Sequence, residues 1–168
     1  MKKRLFEIIL FALFGTLMFI SKILMEFLPN IHLLAMFITT FTVVYRWKAL
    51  IPIYIYVFLN GLLVGFSTWW VPYLYVWTVL WLFVMLLPQN MPKRIAVPVY
   101  MAVCGLHGIL FGVLYAPFQA LVFGVNPIAW IMSGIGFDVI HMIGNIVTGT
   151  LVFPLTTVLK KYTKSVVK

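Results

Sequence analysis

Apolar residues in this chain come in long runs separated by short polar connections, and six such runs can be counted. They cover residues 5–28, 33–45, 49–66, 73–87, 95–115 and 129–159. Bilayer hydrocarbon is about 30 Å thick and takes roughly 20 helical residues, so each run predicts a membrane-crossing helix. The second and fourth are short for full spans, which calls for little tilt or a locally thinned bilayer. No repeat, low-complexity tract or long linker divides the chain, so a single six-helix domain over residues 1–168 is expected.

Composition points the same way. Of 168 residues, 64% are apolar and 9% charged, mean hydropathy is +1.12, and there are six Trp, eight Tyr and fifteen Phe. A water-soluble domain of this size cannot hide that much apolar surface, so the bilayer is the expected solvent. A disordered chain, a disulfide scaffold and a nucleic-acid binder are excluded on the same grounds. The lone Cys104 sits in an apolar run as a small packing residue.

The net charge of +9 is concentrated in short clusters: Lys2, Lys3 and Arg4; Arg46 and Lys48; Lys93 and Arg94; Lys160, Lys161, Lys164 and Lys168. With six crossings all four clusters fall on one side, and the positive-inside rule makes that side cytoplasmic, with both termini. The connections 29–32, 67–72 and 116–128 carry no formal charge and are then the outer loops. The basic start followed by an apolar run resembles a signal peptide, but no small-residue cleavage site closes it and Lys22 and Glu26 occupy its far end. It is read as a retained first helix.

Charged groups cost roughly 2.5–3.5 kcal/mol at a helix centre on insertion scales, so the depth of polar residues is informative. At a rise near 1.5 Å per residue, Asn60 lies about 9 Å, His107 about 12 Å, Asp138 about 14 Å and His141 roughly 18 Å from the outer ends of their helices. Asn145 is one turn deeper, and Lys22 and Glu26 are within two turns of the outer end of the first helix. The cytoplasmic halves are apolar apart from hydroxyls such as Thr148 and Thr150. An ion or proton path needs polar groups at every depth, whereas a receptor for an external ligand needs them in the outer half alone.

Asp138, His141 and Asn145 form one polar stripe along the sixth helix. They either satisfy one another across the bundle or hold the polar part of a ligand. Lys22 and Glu26 are spaced for an interfacial ion pair or for snorkelling. Trp69, Trp70, Tyr73, Tyr75 and Trp77 crowd the second outer connection, with Trp81 one turn beyond Trp77 on the same helical face, and Tyr115, Phe118, Gln119, Asn126 and Trp130 mark the third. An interfacial belt explains rings of this kind, and so does a site for a bulky ring-containing solute, with Asn30 and His32 completing its rim. Gly105, Gly108 and Gly112 on the fifth helix and Gly134, Gly136, Gly144 and Gly149 on the sixth predict close helix approach. Ala12, Gly15 and Thr16 form a small-residue patch that could face a partner protein.

Enzyme signatures are missing: there is no phosphate-binding loop, no H-E-x-x-H and no G-x-S-x-G, and paired-carboxylate chemistry would have to be built from Glu26 and Asp138. Cys104 and His107 form an isolated C-x-x-H without the four ligands of a zinc site, so no metal site is expected. Two rivals from other classes stand beside a receptor. One is a membrane haem protein with iron between His107 and His141; the other is a small proton-coupled exporter using Asp138.

The segments Leu28-Pro29-Asn30-Ile31-His32, Trp69-Trp70-Val71-Pro72-Tyr73-Leu74-Tyr75-Val76-Trp77 and Leu114-Tyr115-Ala116-Pro117, in a chain of this size with outer-half polar residues, resemble the substrate-binding S components of energy-coupling factor (ECF-type ABC) vitamin importers. The resemblance implies a high-affinity vitamin receptor in a bacterial cell membrane, with no ATPase of its own and no permanently bound cofactor. It implies partners too: a transmembrane coupling protein and two ATP-binding subunits, on which the receptor docks before toppling to release its cargo inside. The family docks through an A-x-x-x-A patch on the first helix; here it reads Ala12-x-x-x-Thr16. Cobalamin is the first expected cargo, with Trp69, Trp70 and Tyr73 packed on the corrin ring. Pantothenate, pyridoxine, folate and hydroxymethylpyrimidine are the alternatives.

Overall fold

The computed structural model describes residues 2–163 and is helical throughout, with no strand among them. Lys164 and Lys168, counted above among the basic residues, lie outside the described residues. The helices are α1 (Lys2–Leu24), α2 (Leu34–Tyr45), α3 (Leu50–Val64), α4 (Tyr73–Met85), α5 (Lys93–Ile109), α6 (Phe111–Phe123), α7 (Pro127–Gly149) and α8 (Val152–Tyr162), with a 3-10 turn at Arg46–Ala49 between α2 and α3. Among the described residues four stretches are long and apolar enough to cross a membrane: Lys3–Leu24, Leu34–Val64, Lys93–Phe123 and Pro127–Gly149. Within the second, the chain turns sharply at Arg46, whose φ of 55° lies in the left-handed region.

Chain direction alternates from one apolar run to the next. Phe14 of α1 stacks on Phe41 of α2 at 4.4 Å, while the neighbouring Gly15 meets Ile55 of α3, so α2 runs back along α1 and α3 runs forward again. The connections gather at two ends. At the basic end Arg46 donates to Met85 O at 2.7 Å, Trp81 donates to Arg46 O at 3.2 Å, Lys48 pairs with Glu7, and Tyr45 and Thr163 share a hydroxyl hydrogen bond of 2.8 Å. Glu7, an acid the charge pattern left unassigned, thereby ties the start of α1 to the turn before α3. At the opposite end lie residues 25–33, 65–72 and 124–126, called here the loop end.

The short α2 has a simple cause. Every residue of it except Phe37 is buried, so protein rather than lipid surrounds it, and a helix apolar on all sides is a core helix. Its threonines find partners within the bundle, Thr42 donating to Ile38 O of the same helix at 2.6 Å and Thr39 bonding Cys104 Sγ of α5 at 3.3 Å. Between helices in lipid, close packing carries the energy that water supplies in a soluble core. A Cβ at Gly108 would stand 2.7 Å from the Met142 backbone, and one at Gly149 would stand 2.9 Å from Met101 Cα, so α5 and α7 touch backbone to backbone. Gly108→Val is therefore expected to destabilise by about 2 kcal/mol and lower the detergent melting temperature by about 4–8 °C; a melting curve checks it. Gly134 and Gly136, expected to pack likewise, have nothing near them.

Three boundaries differ from the sequence expectation. The first run stops being helical at Leu24, not residue 28. The fifth run breaks at Leu110 and then continues as α6 to Phe123, so the supposed loop over 116–128 shrinks to residues 124–126. Pro117 is carried inside α6 because it costs one hydrogen bond in an otherwise apolar, helix-compatible stretch. The sixth run is two helices, broken at 150–151 ahead of Pro154, whose ring would clash with the carbonyl of Thr150 in a continuous helix. Lys93–Phe123 spans 31 residues, about 46 Å along the helix and more than a bilayer core needs. The α6–α7 hairpin thus extends the loop end, with Leu121, Ile128, Met132 and Phe137 exposed along it.

Candidate functional site

Two cavities adjoin at the loop end. The smaller, about 200 Å³, lies among the turn after α1 (Met25, Glu26, Asn30, His32), Lys22 of α1, Tyr73 at the start of α4, Phe111 of α6 and His141 of α7. The larger, about 430 Å³, lies between α6 and α7, walled by Tyr115, Trp130, Ser133, Phe137 and Asp138. Asn30 and Phe111 belong to both, so they form the common wall. Asn30 reaches it by taking a left-handed backbone, φ 59°, a conformation Asn tolerates better than most residues.

Beneath the smaller cavity is a nest of rings. His141 lies 4.7 Å from His32 and 6.3 Å from His107, and Phe111 packs on His141 at 5.0 Å. Trp77, fully buried, meets His32 at 5.9 Å, His107 at 5.4 Å, Tyr73 at 5.5 Å and Tyr56 at 6.0 Å. Polar atoms here are under-satisfied. His107 Nε2 bonds Val76 O at 3.1 Å, but His107 Nδ1, His32 Nδ1, His141 Nε2, Trp77 Nε1 and the Tyr56 hydroxyl have no protein partner. A buried polar atom without a partner costs about 1–3 kcal/mol, so a concentration of them beside a cavity marks where a ligand or water completes the bonding.

Asp138 does not pair with His141. Its carboxylate accepts the Gly112 N–H at 3.1 and 3.2 Å. The break at Leu110 explains this: the amides opening α6 have lost their helical acceptors, and a carboxylate from α7 caps one of them, that of Gly112. Gly112 is required there, because a Cβ would fall on the Asp138 carboxylate. Lys22 and Glu26 do not pair either; α1 ends before Glu26, which removes the i, i+4 geometry, and both side chains line the smaller cavity.

The remaining sequence candidates divide. Asn30, His32, Tyr73, His141, Tyr115, Trp130 and Asp138 line a cavity, and Trp77 and His107 form the floor. Tyr115 also donates to Trp69 O at 3.1 Å, and Trp69 packs on Tyr73 at 5.5 Å, placing Trp69 behind the site. Trp70 lies elsewhere: its indole donates to Val57 O at 2.8 Å and packs on Phe66, clamping the 65–72 connection to α3. Gln119 lines neither cavity. Asn145 sits deeper, donating to Cys104 O at 3.2 Å, and Asn60 is buried in α3 with both amide atoms unpartnered. Of the patch on α1, Ala12 and Thr16 are exposed, whereas Gly15 is buried against Ile55 and Pro52 O and cannot face a partner.

Phe111, Tyr56, Phe137 and Ser133 escaped sequence reasoning. Single rings or hydroxyls in an apolar run carry no mark of their facing; the signal available for Phe111 was its place between Gly108 and Gly112. The haem alternative does not fit, because Phe111 packs on both His107 and His141 and Trp77 on His107, filling the space a porphyrin needs. Among the described residues no three His, Cys, Asp or Glu side chains are arranged to hold a metal ion.

His32 belongs to the connection after α1. Burial, with His107 adding to it, pushes its pKa from 6.5 down to about 4. A histidine held neutral in the fold contributes stability above the ordinary pKa, lost as pH falls from about 6.5 toward 4. The melting temperature is expected to decline over that window, and His32→Asn to make the decline shallower; melts between pH 7.5 and 4.5 check both.

No protein-family model, curated protein or solved structure matches this chain.

Proposed function

We propose that this chain is a membrane-embedded vitamin receptor, the S component of an ECF-type importer, with its ligand held at the loop end. In this proposal it crosses the bacterial cell membrane six times, the basic end and both termini are cytoplasmic, and the loop end faces outward. The observation that carries it is the one-sided placement of polar groups. The cavities with polar linings and the unpartnered imidazoles gather at the end away from the basic clusters, whereas the groove of about 630 Å³ along α3 from Leu50 to Leu59 is lined by apolar side chains and Tyr54. The middle of the bundle around α2 is packed, its hydroxyls bonded to neighbouring backbone and sulfur. A binding site closed from below suits a receptor; an exporter would need a polar path through that packed centre.

Cavity size supports the smaller cargoes. Volumes of about 200 and 430 Å³, the first below and the second at the lower end of ordinary ligand pockets, suit a compact ring-containing vitamin on the scale of pyridoxine or hydroxymethylpyrimidine. A corrin is larger than either cavity, so cobalamin becomes the second choice and requires Phe111 and Asn30 to swing aside. Docking on a coupling protein falls to the exposed Ala12 and Thr16, one turn apart on α1.

Equilibrium binding to the detergent-purified chain tests the receptor claim, using labelled pyridoxine, hydroxymethylpyrimidine, pantothenate, folate and cobalamin. Saturable one-to-one binding of one of them at submicromolar concentration is expected; failure of all five contradicts the proposal.

A further inference from the structure

The larger cavity combines features that the receptor proposal leaves unused. Asp138 is 6% exposed, yet a single N–H, from Gly112, is shared between its two oxygens. A carboxylate offers about four acceptor sites, so most of its capacity is unfilled. Among the described residues the ion pair formed is Lys48 with Glu7 at the other end of the bundle, and no cationic side chain lies within pairing distance of Asp138. Buried carboxylates are tolerated when a counter-charge is supplied.

Around it stand four rings, Phe111, Tyr115, Trp130 and Phe137. The faces of such rings attract cations, at about 0.5–2 kcal/mol each depending on desolvation. Charge at this end agrees: its charged side chains are Lys22, Glu26 and Asp138, a net of −1, against a strongly positive opposite end. Lys22 opposes a cation in the smaller cavity but does not line the larger one.

We infer that the larger cavity binds an organic cation, a quaternary or protonated amine borne by the ligand, with Asp138 as counter-ion and the four rings as walls. The inference rests on the receptor proposal and narrows its cargo: acidic vitamins fit this end poorly, and a ring carrying or joined to a positive nitrogen fits it well. A bare inorganic cation matches less, because small metal ions want several oxygen ligands and the cavity offers one carboxylate among rings.

Choline and its neutral carbon isostere 3,3-dimethylbutan-1-ol are suitable probes, read by isothermal titration calorimetry of the full chain in detergent. Saturable binding of choline is expected, with the isostere at least tenfold weaker. Asp138→Asn keeps an oxygen to accept the Gly112 N–H and loses the charge, so it is expected to melt normally while weakening choline at least tenfold. Trp130→Leu, which leaves the cap untouched, is expected to weaken it about fivefold. Equal binding of choline and isostere, undiminished binding in Asp138→Asn where that variant folds, undiminished binding in Trp130→Leu, displacement by sodium as effective as by choline, or absence of choline binding would each overturn the assignment. A neutral vitamin bound submicromolarly by the same preparation would then leave the receptor proposal standing, whereas failure of every vitamin in the binding assay would remove both.

Discussion

His141→Leu is expected to make the protein more stable and nearly blind to its ligand. The His141 ring is 3% exposed, borders the smaller cavity and leaves Nε2 without a protein partner. In the empty protein that atom costs free energy, about 1–3 kcal/mol, and an apolar side chain of similar bulk removes the cost. The melting temperature of the ligand-free variant should rise by several degrees. If the imidazole instead serves the cargo, its removal leaves a ligand polar atom unmatched in a buried site, which costs a comparable amount or more and lowers affinity by roughly 10- to 100-fold. Gains in stability coupled to loss of binding separate a ligand-directed imidazole from a structural one. A variant that melts lower and binds normally would place His141 in the scaffold. Melting curves and equilibrium binding on one preparation give both readings.

The second large effect is expected at the opposite face of function. Ala12 and Thr16 stand exposed on one stripe of α1, and the Thr16 hydroxyl is turned onto Ala12 O at 2.9 Å, so the stripe presents little bulk. Close helix approach in a bilayer depends on such small side chains. Ala12→Trp and Thr16→Trp, pointing away from the bundle, should leave the fold and ligand affinity within about twofold of the parent, since sites this distant act independently. Uptake by cells carrying the coupling module should fall to background. Unimpaired uptake would move the docking face away from α1, and lost binding would show that the stripe supports the site itself. Gly15, although beside them in sequence, belongs to a different experiment: a Cβ there would come 2.5 Å from Ile55, so its substitution separates α1 from α3 and tests packing.

Much of the bundle was legible in the run pattern, because apolar length and the basic clusters are properties of composition along the chain. What the pattern misplaced has physical causes. The break at Leu110 has no proline to announce it; it exists because Asp138, 26 residues away, satisfies the freed amide of Gly112. Sequence spacing left Asp138 either satisfied by His141 on the same helix face or turned to a ligand, and did not show the freed Gly112 N–H across the interface that the carboxylate accepts. His32 looked like a rim residue because it follows a loop; the turn through Asn30 folds it inward to within 4.7 Å of His141. Trp70 looked like a site residue because it neighbours Trp69, yet adjacent residues point in different directions and its indole found Val57 O on α3. The density of rings at the second connection did indicate the site, through Tyr73 and Trp77, while giving no means of telling which rings face the cavity.

Native mass spectrometry of the full chain, co-expressed with a coupling protein and two ATP-binding subunits and extracted in mild detergent, distinguishes a vitamin receptor from its rivals. The proposal predicts a four-protein assembly carrying one small ring-containing molecule, released when His141 is replaced by leucine and retained when only the docking stripe is blocked. A chain that emerges alone and empty, with no mass added by any vitamin supplied in excess, would contradict it.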